Sequence, residues 1–226
     1  MKMTLTWLRG AYICACGAIL SLNCVSRVDA SQLPDRAQSC PGDNGGITLS
    51  PGFCATVFAD NLGHPRHMVV SQGGVLYVNT WSGRYYRSDT PPDGGFVVAL
   101  QDTQGKGAAN IIQRFGDGVA EGSAGGTGIR LYNDALYVEQ NDRIVRYSLP
   151  ANSIIPTNRP EVIVSGLPLT GDHPMHPFII DNAGNLFVDL GSATNACELQ
   201  NRMPGSKGHE PMYRKGDAGR HLALSC

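Results

Sequence analysis

Short apolar runs, each broken by a Gly- or Asn-bearing turn and resumed on a Leu-aromatic-Val triplet, recur three times along this chain of 226 residues. The first is His64 to Asn79, HPRHMVVSQGGVLYVN; the second starts at Gly126, GTGIRLYNDALYVEQ; the third is Gly171 to Leu190, GDHPMHPFIIDNAGNLFVDL. Successive side chains on an extended strand point to opposite faces, so each copy predicts a β-hairpin. The triplet leucines, Leu76, Leu136 and Leu186, stand 60 and then 50 residues apart, near the upper end of the periods of propeller blades.

The second copy predicts a whole blade. Its strands read Gly128 to Leu131, Ala135 to Glu139, Arg143 to Leu149 and Glu161 to Val164, separated by Asn133-Asp134, Asn141-Asp142 and a Pro/Asn-rich loop. Those separators carry the turn chemistry of antiparallel hairpins. In the first copy, GGFVVAL and NIIQRFG supply strands three and four, joined by Asp102 to Asn110. One small sheet cannot bury both faces, whereas sheets stacked around an axis can. The expected fold is all-β: a β-propeller of four-stranded antiparallel blades, with two blades complete and a third opened.

Composition adds two constraints. Gly and Pro are abundant, at 28 and 14 residues, and the net charge is −1 with scattered arginines. A nucleic-acid partner would need a concentrated basic surface, so none is expected. The N-terminus reads as a signal peptide over residues 1–30: Lys2 and Arg9 precede the apolar run Ala11 to Leu22, and Val28-Asp29-Ala30 offers a small-residue cleavage site. That run is short for a membrane span, and Asn23 before Cys24 fits a lipid-anchor motif poorly. The mature chain is expected to be periplasmic or secreted, without a membrane span. Removing the leader takes Cys14, Cys16 and Cys24 and leaves Cys40, Cys54, Cys197 and Cys226 in a disulfide-permissive compartment. Cys40 and Cys54, on either side of PGDNGG, are expected to form a local staple.

The runs RHMVV, GFVVAL, GDHPMHPF, LGSATNAC and NRMPGSKGHEP together resemble the glucose/sorbosone dehydrogenase family, especially its sorbosone dehydrogenase-like branch. The resemblance spans about Cys54 to Pro211, and Asp-His followed by a strand, a hairpin and LGSATN is its most specific part. It implies a six-bladed propeller that uses pyrroloquinoline quinone (PQQ) and calcium to oxidise a sugar or sugar aldehyde. It also implies that His173 is the general base taking the hydroxyl proton while hydride passes to the quinone. Histidine titrates in the range this chemistry needs. Asp172, the second candidate catalytic residue, is expected to orient the ring or hold its protonated form.

Other residues carry weaker expectations. His64, Arg66 and His67 take the matching position in the first copy, where strand starts converge on a central channel; Arg66 and His67 are candidate cofactor-binding groups, against a structural role. Asn195, in GSATN, is placed near the substrate and cofactor. His176 reads as packing at a strand start, because calcium prefers oxygen ligands and no zinc spacing surrounds it. DTQGKG, Asp102 to Gly107, is similar to a calcium loop but sets Gln104 and Lys106 where acids are wanted, so it reads as a polar hairpin tip. Trp81, Tyr85 and Tyr86 read as filling between blades rather than as a stacking platform. Gly126-Thr127-Gly128 either lets a ligand approach the backbone or begins a strand. No metal ligands are assigned.

Six blades at this period need more than about 300 residues, so the resemblance implies a truncated enzyme: residues 31–211 as the N-terminal part of the propeller, and 212–226 as an aberrant tail. With permissive codons the tail shifted by one base yields GIWRY, a repeat of the RIVRY in the second blade, so a frameshift product is expected there. The family's quinone-holding basic residues and most calcium ligands are expected in later blades, and the chain as given is expected to be impaired or inactive. Two other classes stay open: a non-catalytic propeller that binds a partner through its rim, and a calcium-dependent lactonase. The electron acceptor is unassigned.

Overall fold

The computed structural model describes residues 40, 42–83, 93–116, 123–195 and 198–208. The leader, Tyr85, Tyr86, Cys197, the 212–226 tail and the side chain of Trp81 lie outside the described residues. Eleven strands and one short 3-10 turn, Asn44–Gly46, make up the regular structure of this part.

The first sheet runs β1 (Pro65–Val70), β2 (Val75–Gly83), β3 (Val97–Gln101) and β4 (Ile111–Phe115), in that order and antiparallel throughout. A short strand that the pattern did not predict, β5 (Ser123–Gly125), pairs with the far end of β2. The second sheet is β6 (Ile129–Tyr132), β7 (Ala135–Gln140), β8 (Arg143–Ser148) and β9 (Glu161–Ser165), again in chain order. The third repeat contributes the hairpin β10 (Phe178–Ile180) and β11 (Leu186–Val188). Both complete sheets have the meander order of a propeller blade, so the all-β fold of four-stranded blades holds. Turn chemistry sets the hairpins. Asn133 and Asp134 both take positive φ, 46° and 55°, as a tight two-residue turn between β6 and β7 requires.

The period of two explains how the sheets stack. In each triplet the leucine and valine face back along the chain, while the aromatic and the polar residue after the valine face forward. Leu136 and Val138 pack with Tyr77, Val97 and Phe115 in a core between the first two blades. Tyr137 on the other face packs with Phe178 and Ile180 of the hairpin. Edge-on aromatic contacts, Tyr77 with Phe115 at 6.3 Å and Phe115 with Tyr147 at 5.2 Å between ring centroids, fill the first of these cores. The outer face of the first blade, Val78, Val98 and Leu100, is covered by Phe58, Ala59 and Leu62. That strap is tied down by Ala109 N donating to Phe58 O at 2.8 Å and by an Arg114 Nη donating to Leu62 O at 2.9 Å. Upstream of it, Cys40 and Cys54 form the expected disulfide.

The residue after each of the first two triplets stitches one repeat to the next. Asn79 Nδ2 donates to Gly128 O at 2.9 Å and to Glu139 O at 3.1 Å, reaching from the first blade into the second. Glu139, its counterpart in the second blade, reaches His176 at the start of the third repeat. Gly126 and Gly128 are what make room for this stitch. A Cβ on Gly126 would lie 2.5 Å from Glu139 side-chain carbons, and one on Gly128 would lie 2.4 Å from the Phe178 ring. Packing between repeats therefore occupies this backbone, rather than a ligand.

Candidate functional site

The Gly-Asp-His segment of the third repeat is a loop that lies alongside the Gly-Ser-Ala-Thr segment after β11. Asp172 N donates to Ala193 O and His173 N to Ser192 O, each at 3.2 Å; Gly191 N donates to Met175 O at 3.2 Å and Asp189 N to Pro177 O at 2.9 Å. The two segments approach so closely at Gly191 that a Cβ there would sit 1.8 Å from His173 O. Only glycine fits, which gives the Leu-Gly-Ser run a steric reason. Ser192 Oγ turns back to Thr194 O and closes the bend.

A second loop, 198–208, braces this corner. Arg202 Nε donates to Asp172 Oδ2 at 2.8 Å, and Arg202 N is anchored on a Glu198 carboxylate oxygen at 2.7 Å. Asn201 hydrogen-bonds the Asp172 carboxylate and, through Oδ1, accepts from Asn195 N at 2.9 Å. Asn201, then Arg202, hold the Asp172 carboxyl below the ordinary aspartate value. Because the segment is a loop, neighbouring side chains are not bound to alternate: Asp172 turns to Asn201 and Arg202. The His173 imidazole, half-buried, takes no hydrogen bond among the described residues.

Asp172, His173 and Asn195 thus come together on one corner of the third repeat. Arg66 and His67 lie on β1 of the first blade, where the register shifts between Pro65 and Met68. That bulge puts one more residue on β1 than on its partner, so the shared His-Pro-x-His spacing of the first and third repeats does not carry over residue by residue. Arg66 is half-buried and His67 exposed.

Sequence reasoning missed Asn201, Arg202 and Glu139. Glu139 is 2% exposed and His176 is fully buried. The Glu139 carboxylate accepts from Thr127 N, Thr127 Oγ1 and Gly128 N on Oε2, at 2.7, 3.0 and 2.7 Å. On Oε1 it accepts from His176 N at 2.8 Å and meets His176 Nδ1 at 3.1 Å. Burial alone raises a carboxyl's pKa, but these donors outweigh it and hold Glu139 below the ordinary value. His176 is a packed strand-start residue with a specific partner, as its position in the pattern implied. The signal for Glu139 was present in the sequence: a carboxylate at the forward-facing position of an otherwise apolar strand.

Calcium and the quinone can be tested against these residues. Among the described residues no three His, Cys, Asp or Glu side chains stand close enough to hold a metal ion. Asp102, in the calcium-like loop, spends its oxygens on backbone donors, Gln104 N at 2.9 Å and Gly107 N at 2.7 Å, so it closes a hairpin tip. At the Asp172 corner, Arg202 is engaged with that aspartate rather than free for an anionic quinone. Among the described residues, the Asp172 corner by itself supplies neither a metal-holding cluster nor an uncommitted arginine for the quinone. No helix among them is long and apolar enough to cross a membrane.

No family model matches the chain, and no curated protein matches it. Solved structures do. The chain is similar to a calcium structure of Trichoderma reesei Carbohydrate-Active Enzymes Family AA12, at 20% identity and a TM-score of 0.44, with 61% of this chain and 32% of that one covered. An iodide structure of the same family from that organism gives the same figures. The holo form of the pyranose dehydrogenase PQQ domain from Coprinopsis cinerea is 15% identical, covering 60% of this chain and 30% of that one, at a TM-score of 0.46. The chain spans about a third of the length of the solved structures it matches.

Proposed function

We propose that this chain carries the proton-accepting corner of a PQQ-type oxidoreductase acting on a sugar or sugar aldehyde, with His173 as general base. The observation that supports it best is the Gly171–His173 segment, fixed by backbone bonds to Ser192 and Ala193, with its imidazole taking no hydrogen bond among the described residues. Oxidation of an alcohol carbon removes the O–H proton and the C–H hydride together, and an imidazole accepts the proton near neutral pH. Asp172, hydrogen-bonded by Asn201 and Arg202, ties the loop that carries His173 to the 198–208 loop. By the resemblance, a quinone accompanied by calcium would supply the hydride acceptor, and Arg66, His67 and Asn195 are the residues proposed to contact cofactor and substrate. The Cys40–Cys54 disulfide supports an exported protein, because such bonds persist in oxidising compartments.

The test is dye reduction by the full chain with an aldose or sorbosone, PQQ and calcium. Turnover that His173→Ala lowers by about 10²–10⁴-fold supports the reading; equal turnover in the two proteins removes the base assignment. Hydrolysis of a lactone with calcium and no quinone would replace it with the hydrolase class.

A further inference from the structure

We propose that Glu139 is a positioning residue for His173 and acts through His176. This rests on the reading of His173 as the proton acceptor. Five donors converge on the Glu139 carboxylate: three backbone N–H groups, the Thr127 hydroxyl and the His176 ring. An ionised carboxylate accepts at all its lone pairs and donates nothing, so it satisfies such a set; the amide of glutamine would turn an NH₂ toward some of these donors.

The two oxygens divide the work. Oε2 belongs to the start of β6 in the second blade, and Oε1 takes both the backbone N and Nδ1 of His176. His176 therefore gives its Nδ1–H to the carboxylate, and its Nε2 is buried without a partner among the described residues. A buried polar atom left unpaired is tolerated where the rest of the side chain is over-determined. Here the over-determined feature is the position of residue 176.

From His176 the restraint runs three residues back to His173. On one side the 173–177 segment is held to the segment after β11 by the bonds at His173 N, Met175 O and Pro177 O. On the other it is held to the second blade by Glu139 alone among the described hydrogen bonds. Releasing Glu139 removes the hydrogen bonds that hold His176 to the second blade and leaves the Asp172–Arg202 pair as it is.

The experiment uses the full chain with isotope-labelled histidine, the His173 ring signal being assigned by its loss in His173→Ala. Three variants are compared: Glu139→Gln, His176→Leu and His176→Asn, the last placing an amide N–H where Nδ1 stands. The expected result is a changed His173 ring shift and titration midpoint in E139Q and H176L. Carbethoxylation of His173 changes by about threefold or more, as for a segment whose local opening is easier, and H176N returns these readouts to wild type. A purely structural strut lowers stability and leaves the His173 ring unmoved: E139Q with native near-UV dichroism and wild-type His173 signals overturns the proposal. Should E139Q fail to fold, the two His176 variants decide, and equal His173 signals in H176L and H176N overturn it. Dye reduction is read in parallel, so an inactive wild type would sink the proposed function while the His173 signals still answer the positioning question.

Discussion

Arg202 Nε donates a charged hydrogen bond to Asp172 Oδ2 at 2.8 Å across 30 residues of sequence. The pair joins the loop that carries the catalytic candidate to a loop that the strand pattern leaves undescribed. Asn201, and then this arginine, hold the Asp172 carboxyl below its ordinary value.

Replacing Arg202 with Met removes one of the two donors that depress the Asp172 carboxyl. Its titration, followed by carboxyl-carbon NMR, moves up toward the ordinary value of 3.8. The sign follows from linkage. A carboxyl depressed in the folded state contributes stability above its unfolded value, and that contribution fades as pH falls through the folded value. The corner therefore loosens at higher pH in R202M than in wild type; an unmoved Asp172 midpoint would refute the pairing.

Acid should also act through Glu139. Its carboxyl lies below the ordinary 4.5 in the folded chain, so its stabilisation is complete above that pH and declines as pH falls below it. Glu139→Ala leaves buried donors of Thr127, Gly128 and His176 unmatched and is expected to cost about 3–5 kcal/mol in urea unfolding at neutral pH. The mutant should also lose much of the wild-type decline in stability below pH 4.5.

Gly191→Ala tests the close approach of the two loop segments. The added methyl meets the His173 carbonyl, a backbone atom that cannot rotate away. Overpacking of this kind costs about 1–3 kcal/mol. The expected outcome is lower stability together with faster exchange of the Asp172 and His173 amides; slow exchange retained at both would contradict the geometry.

Reduction of Cys40–Cys54 releases a loop closed over a sequence separation of 14. Loop-closure entropy for a span of this size corresponds to about 3 kcal/mol. The denaturation midpoint should fall on reduction, while the strand signal in far-UV dichroism stays, because the sheets take no support from the bridge itself. Cys40→Ser should reproduce the reduced form.

Much of the architecture was legible because its information is local. The repeated Leu-aromatic-Val triplets, the alternation around them and the Asn-Asp turns place ten of the eleven strands close to their observed bounds. β5, Ser123–Gly125, escaped because three small residues carry no alternation; its strand character comes from pairing with β2 across more than 40 residues. Asp172, His173 and Asn195 were readable as one cluster through the resemblance of their motifs. The bulge in β1 was not, since an extra residue on one strand shows only against its partner.

Secondary structure, repeat order and the Cys40–Cys54 staple were thus determined by the sequence itself, through turn propensities, a period of two and the short span between those cysteines. The partners of the polar groups were decided by the tertiary structure alone. A carboxylate such as Glu139 announces that it needs donors, yet the donors stand 11, 12 and 37 residues away and converge only once the blades stack. The same holds for Asp172, whose carboxyl is held low by Asn201 and Arg202, which the fold, and nothing in the local sequence, brings to it.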